Sequence, residues 1–172
     1  MLELFKQRRA CRKFDSEREV EKEKIEEILQ AGLLAPSGMN RQTPVFIVFN
    51  EKESRDKLAV INRTIGGRLE GDPFYGAPVV IMVIAKRDGL SVHDGAASIE
   101  NMLLEATNQG LGTCWVHRAK EELENEEARE LLKPLGLNLD EYVGIGHIAL
   151  GYSLMDKYPE KVIRDGRVLW MK

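Results

Sequence analysis

"PVVIMVIA" (residues 78–85) is an unbroken apolar run rich in β-branched side chains, a composition that suits a strand buried on both faces. "VFIVF" (45–49) has the same character, and the two runs together predict the interior of a sheet. Working outward, Ile25, Ile28, Leu29 and Leu33 recur at helical spacing within 20–34, with Glu and Lys on the other face, which predicts an amphipathic helix. Between the two apolar runs, "KESRDKLAVI" (52–61) reads as a short helix, while "NRTIGGRLEGDPFYGAP" (62–78) holds too many glycines and prolines to be regular. Ile99, Met102, Leu103 and Ala106 then repeat at i, i+3, i+4 and i+7 in "DGAASIENMLLEATNQG" (94–110). This spacing predicts a long buried helix, with Asp94 as its cap and Gly110 as its stop. "TCWVH" (113–117) and "YVGIGHIALGY" (142–152) read as strands, and "EELENEEARELLKPLG" (121–136) as one acidic helix whose charged face is solvated.

A chain of 172 residues fits one domain, here 1–172, with room for a real core. Its apolar share of 43% and charged share of 31% are ordinary for a soluble protein, and no apolar run approaches the roughly 20 residues of a membrane span. "MLELFKQRR" is too short in apolar residues for the h-region of a signal peptide, so the expected location is the cytoplasm. Cys11 and Cys114 are the only cysteines, without the ligand spacing of a metal site, and are expected as reduced thiols. A net charge of -3 argues against a broad nucleic-acid face, so any basic site must be local.

Three stretches offer chemistry. Arg8, Arg9, Arg12 and Lys13 form a basic cluster at the end of a short predicted helix, where helical periodicity would put Arg8 and Arg12 on one face. Arginine's planar fork pairs with phosphate oxygens, although such a cluster also serves as a plain solvated patch. In "LLAPSGMNRQTPVFIVF" a loop carrying Ser37, Asn40 and Gln42 precedes a strand, a place suited either to ligand binding or to turn chemistry alone. In "GLGTCWVHR" (110–118), glycines open a close approach to the backbone ahead of Trp115 and His117. His93, His117 and His147 have no paired motif, and hydrolase, zinc-peptidase, Walker and Rossmann patterns are absent from the sequence.

In order and spacing, "RRACRKF" (8–14), "APSGMNRQTP" (35–44), "GLGTCWVH" (110–117) and "ALGY" (149–152) resemble the nitroreductase family of flavoenzymes over nearly the whole chain. The resemblance implies an α+β fold with a mostly antiparallel central sheet flanked by helices. It also implies a homodimer that exchanges its C-terminal strand and binds FMN at the interface. Residue by residue, Arg8 and Arg9 match the positions that hold the FMN phosphate and ribityl chain, and Arg12 a basic position near the pyrimidine side of the ring. Ser37, Met39 and Asn40 fall in the loop that lines the flavin from the second subunit, with Gln42 slightly further off. Trp115, Val116 and His117 lie at the flavin edge, and Arg164, with Lys161 sharing the work, resembles the C-terminal basic residue at the phosphate. Ala10 stands where relatives commonly carry serine, a loss of about 1 kcal/mol for one hydrogen bond. The tail is less basic than is usual, and the bulk of His117 narrows the substrate space.

The implied activity is that of an FMN-dependent oxidoreductase reduced by NAD(P)H. It passes electrons in a ping-pong cycle to a small organic acceptor such as a nitroaromatic or quinone, with no obligatory protein acid or base and no metal. The alternative is a flavin-binding storage or sensor protein without turnover. A nucleic-acid binder is disfavoured by charge and by the lack of an aromatic stacking platform beside the arginines.

Overall fold

The computed structural model describes residues 2–171. Four strands, β1 (Pro44–Phe49), β2 (Val79–Lys86), β3 (Gly112–Val116) and β4 (Tyr142–Gly151), form one sheet in the order β1-β2-β4-β3, every neighbouring pair antiparallel. Among the described residues six α-helices accompany them: α1 (Leu2–Gln7), α2 (Lys22–Leu33), α3 (Lys52–Ile65), α4 (Ser91–Asn108), α5 (Ala119–Leu123) and α6 (Glu126–Leu132).

The alternation of side chains along β2 divides the core in two. Val79, Ile81 and Val83 face Ile25 and Ile28 of α2 and Ile99, Met102 and Leu103 of α4. Val80, Met82 and Ile84 face Leu58 of α3, Ala119 and Leu123 of α5 and Leu132 of α6. With helices over both faces, β2 is buried from Val79 to Ala85, as its unbroken apolar run predicts. β1 departs from that expectation. It is an edge strand whose Val45, Phe46 and Val48 are only partly buried, because a strand paired on one side leaves its other flank open.

Other boundaries also move. α3 runs through Ile65, four residues into the stretch expected to be irregular, because Asn62 continues the buried face set by Leu58 and Ile61. α4 begins at Ser91, so Asp94 lies inside the first turn and does not cap it; its buried carboxylate accepts a hydrogen bond from the Gly38 N–H at 3.0 Å. The other end is as expected. Gly110 takes φ 75°, its N–H reaches the Thr107 carbonyl, and the Leu111 N–H reaches that of Ala106, a Schellman closure. The single acidic helix is two, broken at Asn125, whose side chain accepts the Ala128 N–H at 3.0 Å and starts α6. Nor is all of its acid solvated: Glu122 is fully buried.

Among the described residues no helix is long and apolar enough to cross a membrane, and no cluster of three metal-capable side chains occurs.

Candidate functional site

The basic cluster is built by β3. α1 stops at Gln7, and the chain then runs extended, with Ala10 bridging Thr113 and the Cys11 N–H bonded to the Thr113 carbonyl at 2.7 Å. The helical face expected for Arg8 and Arg12 therefore does not exist, because the pairing with β3 holds these residues outside any helix. Cys11 turns fully into the core and occupies the space over Gly112, where an added Cβ would meet its sulfur at 3.0 Å. The glycine thus admits a neighbouring side chain where an approach for a ligand was expected.

Arg8 makes a long ion pair with Glu100 on α4, at 3.9 Å. The Arg9 guanidinium donates to the Pro159 carbonyl and sits 5.9 Å from the centre of the Tyr158 ring. The Arg12 side chain has no ion-pair partner among the described residues, while its backbone N–H meets the Met155 sulfur at 3.1 Å. Lys161 donates to the Phe5 carbonyl at 3.1 Å, so the start of the tail lies along the basic segment. Arg164 is exposed beyond it, without a hydrogen bond among the described residues. Burial pushes the Cys114 thiol above its ordinary range, against the pull of Arg12 and Arg8.

The loop from Ser37 to Gln42 holds itself together. The Ser37 hydroxyl accepts the Gln42 N–H at 2.9 Å, and the Gln42 amide donates to Asn40 at 3.0 Å. Arg41 pairs with Asp88 at 3.2 Å and so ties the loop to the entrance of α4. Met39 is 80% exposed. This loop precedes β1 and the basic cluster lies along β3, on opposite edges of the sheet. No hydrogen bond or ion pair joins the two groups among the described residues.

Trp115 and His117 project from the same side of the chain, their rings 6.5 Å apart at 29°, and Val116 between them is buried. The indole lies against Gly146 of β4, where an added Cβ would fall 2.3 Å from its nitrogen. A cavity of about 380 Å³ opens beside them, lined by Arg68, Pro73, Tyr75, Arg118 and Glu121 as well. Behind it lies a buried network. Glu122 accepts from Asn62 at 2.6 Å and pairs with His147 Nε2 at 2.7 Å, and the Asn62 amide also donates to the His117 carbonyl at 3.0 Å. All three of these side chains are fully buried, and His147 packs edge-on against Phe74. Asn62 had a readable signal, a polar residue on the apolar face of α3. Glu122 had none, because in sequence it is one glutamate among many.

Backbone strain falls at the same places. Among the described residues, the non-glycine positions with positive φ are Met39, Asn40 and Gln42 in the loop, and Tyr75 and Arg118 at the cavity. An extended arginine segment with one loosely held and one unpaired guanidinium fits an anionic group such as the expected phosphate.

Comparison with known proteins agrees with this architecture. Residues 5–152 match the Nitroreductase family. A protein of Archaeoglobus fulgidus, provisionally named an NADH dehydrogenase/NAD(P)H nitroreductase, is 32% identical over 160 residues, covering 91% of this chain and 87% of its own. A nitroreductase of Bacteroides fragilis, solved with bound FMN, superposes with a TM-score of 0.90 at 27% identity, over 99% of this chain and 98% of that one. An FMN-dependent nitroreductase of Clostridium difficile superposes with a TM-score of 0.76 at 32% identity, over 98% and 94% of the two chains. With the family pattern matched across most of its length and its four-stranded antiparallel sheet shared with solved members, the chain belongs to the nitroreductase family.

Proposed function

We propose that residues 1–172 form one FMN-binding domain working as a cytoplasmic homodimer. In this reading it is an FMN-dependent oxidoreductase, reduced by NAD(P)H, that delivers electrons to a small organic acceptor such as a nitroaromatic or quinone. The observation that carries the reading is the coincidence of strain with chemistry: every non-glycine residue at positive φ among those described lies within Ser37–Gln42 or lines the cavity beside Trp115 and His117. Each such position costs on the order of 1–3 kcal/mol and persists only where its surroundings hold it, commonly at ligand sites. The bound FMN of the Bacteroides fragilis protein and the nicotinamide in the name of the Archaeoglobus fulgidus relative support the choice of cofactor and reductant.

When bound, FMN supplies the redox chemistry, taking two electrons from NAD(P)H and giving them to a second substrate in the same pocket. The protein holds and tunes it. Arg8 and Arg9 would grip the phosphate and ribityl chain, exchanging a 3.9 Å ion pair and a carbonyl contact for stronger charge-assisted bonds. Ala10 adds only its backbone there. Arg12, unpaired among the described residues, would set positive charge beside the pyrimidine side of the ring and stabilise negative charge arriving there. Trp115, Val116 and His117 would line the ring edge, and Ser37, Met39, Asn40 and Gln42 of a second copy would complete the pocket.

The tail supports the dimer. Val162, Ile163, Val168, Leu169 and Trp170 are each 72% or more exposed and find no strand partner among the described residues. β1 and β3 are edge strands, so crossing to a second copy would let the tail pair and would carry Arg164 and Lys161 toward a phosphate. The test is an FMN titration followed by anaerobic stopped-flow mixing. Micromolar or tighter binding, bleaching of the bound flavin by NADH or NADPH, and reoxidation by a nitroaromatic are expected. Arg8→Ala should weaken binding by about tenfold or more, the scale of one hydrogen bond to a charged group. Protein that fails to bind FMN refutes the proposal, and bound flavin that NAD(P)H cannot reduce identifies a storage protein instead.

A further inference from the structure

Arg118, two residues past the end of β3 and immediately before α5, takes a conformation that an arginine adopts at a cost, with φ 85°. Its guanidinium is nevertheless placed with care. Gly66 leaves the room for it, since an added Cβ there would lie 2.7 Å from the guanidinium carbon. Its one side-chain hydrogen bond among the described residues is to the Asn62 side-chain amide oxygen, Oδ1, at 3.4 Å. That oxygen cannot turn away, because the Asn62 NH₂ is engaged by both the His117 carbonyl and Glu122. Glu122 is fixed in turn by His147, so a chain of three fully buried side chains sets the direction of one half-exposed cation.

Only one donor of the guanidinium fork is used, and Arg118 has no carboxylate within ion-pair distance among the described residues. It lines the cavity of about 380 Å³ with a second cation unpaired among the described residues, Arg68, and with the rings of Trp115, His117 and Tyr75; Glu121 supplies the one carboxylate of that lining. A cavity of this size suits a small ligand. Two guanidinium groups against one carboxylate leave it net positive, beside an aromatic surface.

We propose that this cavity recognises an aromatic acid, its ring against Trp115 and His117 and its carboxylate on the fork of Arg118. Arg118 is then a specificity-determining residue, and Asn62, Glu122 and His147 are positioning residues. The inference rests on the oxidoreductase reading, which it deepens by naming a substrate class.

The test is calorimetric titration of the purified, flavin-loaded full chain with 4-nitrobenzoate and with its neutral counterpart 4-nitrobenzamide. Wild type should bind the acid more tightly than the amide. Arg118→Gln should weaken the acid by about tenfold or more while moving the amide by less than about twofold, and Arg118→Lys should recover part of the loss, since it restores charge without the fork. Arg118→Gly relieves the positive φ and should raise the melting temperature, so its loss of acid binding could not come from misfolding. Equal weakening of acid and amide, or no change in either, overturns the assignment. Flavin loading, read from the visible absorbance, separates the two claims: protein without flavin defeats the oxidoreductase reading, while the titration on the same protein still tests Arg118.

Discussion

Glu122→Gln is a small change in shape with a large expected cost. The carboxylate accepts from Asn62 Nδ2 at 2.6 Å and pairs with His147 Nε2 at 2.7 Å, one oxygen for each. Glutamine offers a single oxygen, so either one of the two donors faces its NH₂ group or His147 changes tautomer to accept from it and leaves a buried Nδ1–H without a partner. A lost hydrogen bond to a charged acceptor costs about 1.5–3 kcal/mol, and a buried donor left without a partner adds about 1–3 kcal/mol. Glu122, His147 and Asn62 are all fully buried, so solvent offers no substitute. The two contributions together span about 2.5–6 kcal/mol, and a destabilisation of about 3–4 kcal/mol lies in the range measured when one member of a buried pair is removed. At about 2–4 °C per kcal/mol for a domain of this size, the melting temperature falls by roughly 6–16 °C. Urea unfolding followed by circular dichroism at one fixed protein concentration measures it, with Glu124→Gln on the exposed side of the same turn as a control expected to lie within about 0.5 kcal/mol of wild type. A Glu122→Gln change below about 1 kcal/mol would refute the reasoning, because it would mean that the network is not held as a unit.

Two further perturbations bear on the site. Asp88 is held below its usual value of 3.8 by the Leu90 N–H, by Ser91 and by Arg41, so its contribution is fully present above that value and is lost as the pH falls through its lowered folded one. Asp88→Asn should flatten the acid limb of a melting-temperature profile taken between about pH 2 and 6, and an unchanged limb would show that the tie between Arg41 and α4 carries no stability. Gly146→Ala puts a methyl group 2.3 Å from the Trp115 indole nitrogen and should displace the ring at a cost of about 1–3 kcal/mol. Tryptophan emission should shift, and an unaltered spectrum would contradict the close packing of Trp115 on β4.

Local pattern made much of this fold legible. β2 could be read because an eight-residue apolar run buried on both faces carries its own signature, and α4 because Ile99, Met102, Leu103 and Ala106 mark one stripe. β1 misled because apolar content does not say which strand lies at an edge; that follows from pairing between residues far apart, such as Val45 with Ile84. Arg8, Arg9 and Arg12 were visible as charge, yet what holds them is Thr113, about a hundred positions away. Arg118 and Glu122 escaped for the same reason, since each takes its meaning from a long-range partner, whereas Asn62 showed only as a polar residue on the apolar face of α3, with its partners out of sight.

The position of β4 has a consequence for how the molecule is made. It is the last of the four described strands in sequence but lies between β2 and β3, so until Tyr142–Gly151 has been synthesised β3 has only its bridge to Ala10, and β1 and β2 can form only a hairpin-like pair. Trp115 and its neighbours are therefore among the last groups on the ribosome to find their places. Domains that depend on such distant pairings fold slowly. A stall or nonsense codon after residue 86 but before residue 142 would leave the most apolar strand of the protein, β2, with one flank bare, which makes such incomplete chains a foreseeable target for chaperones and proteases.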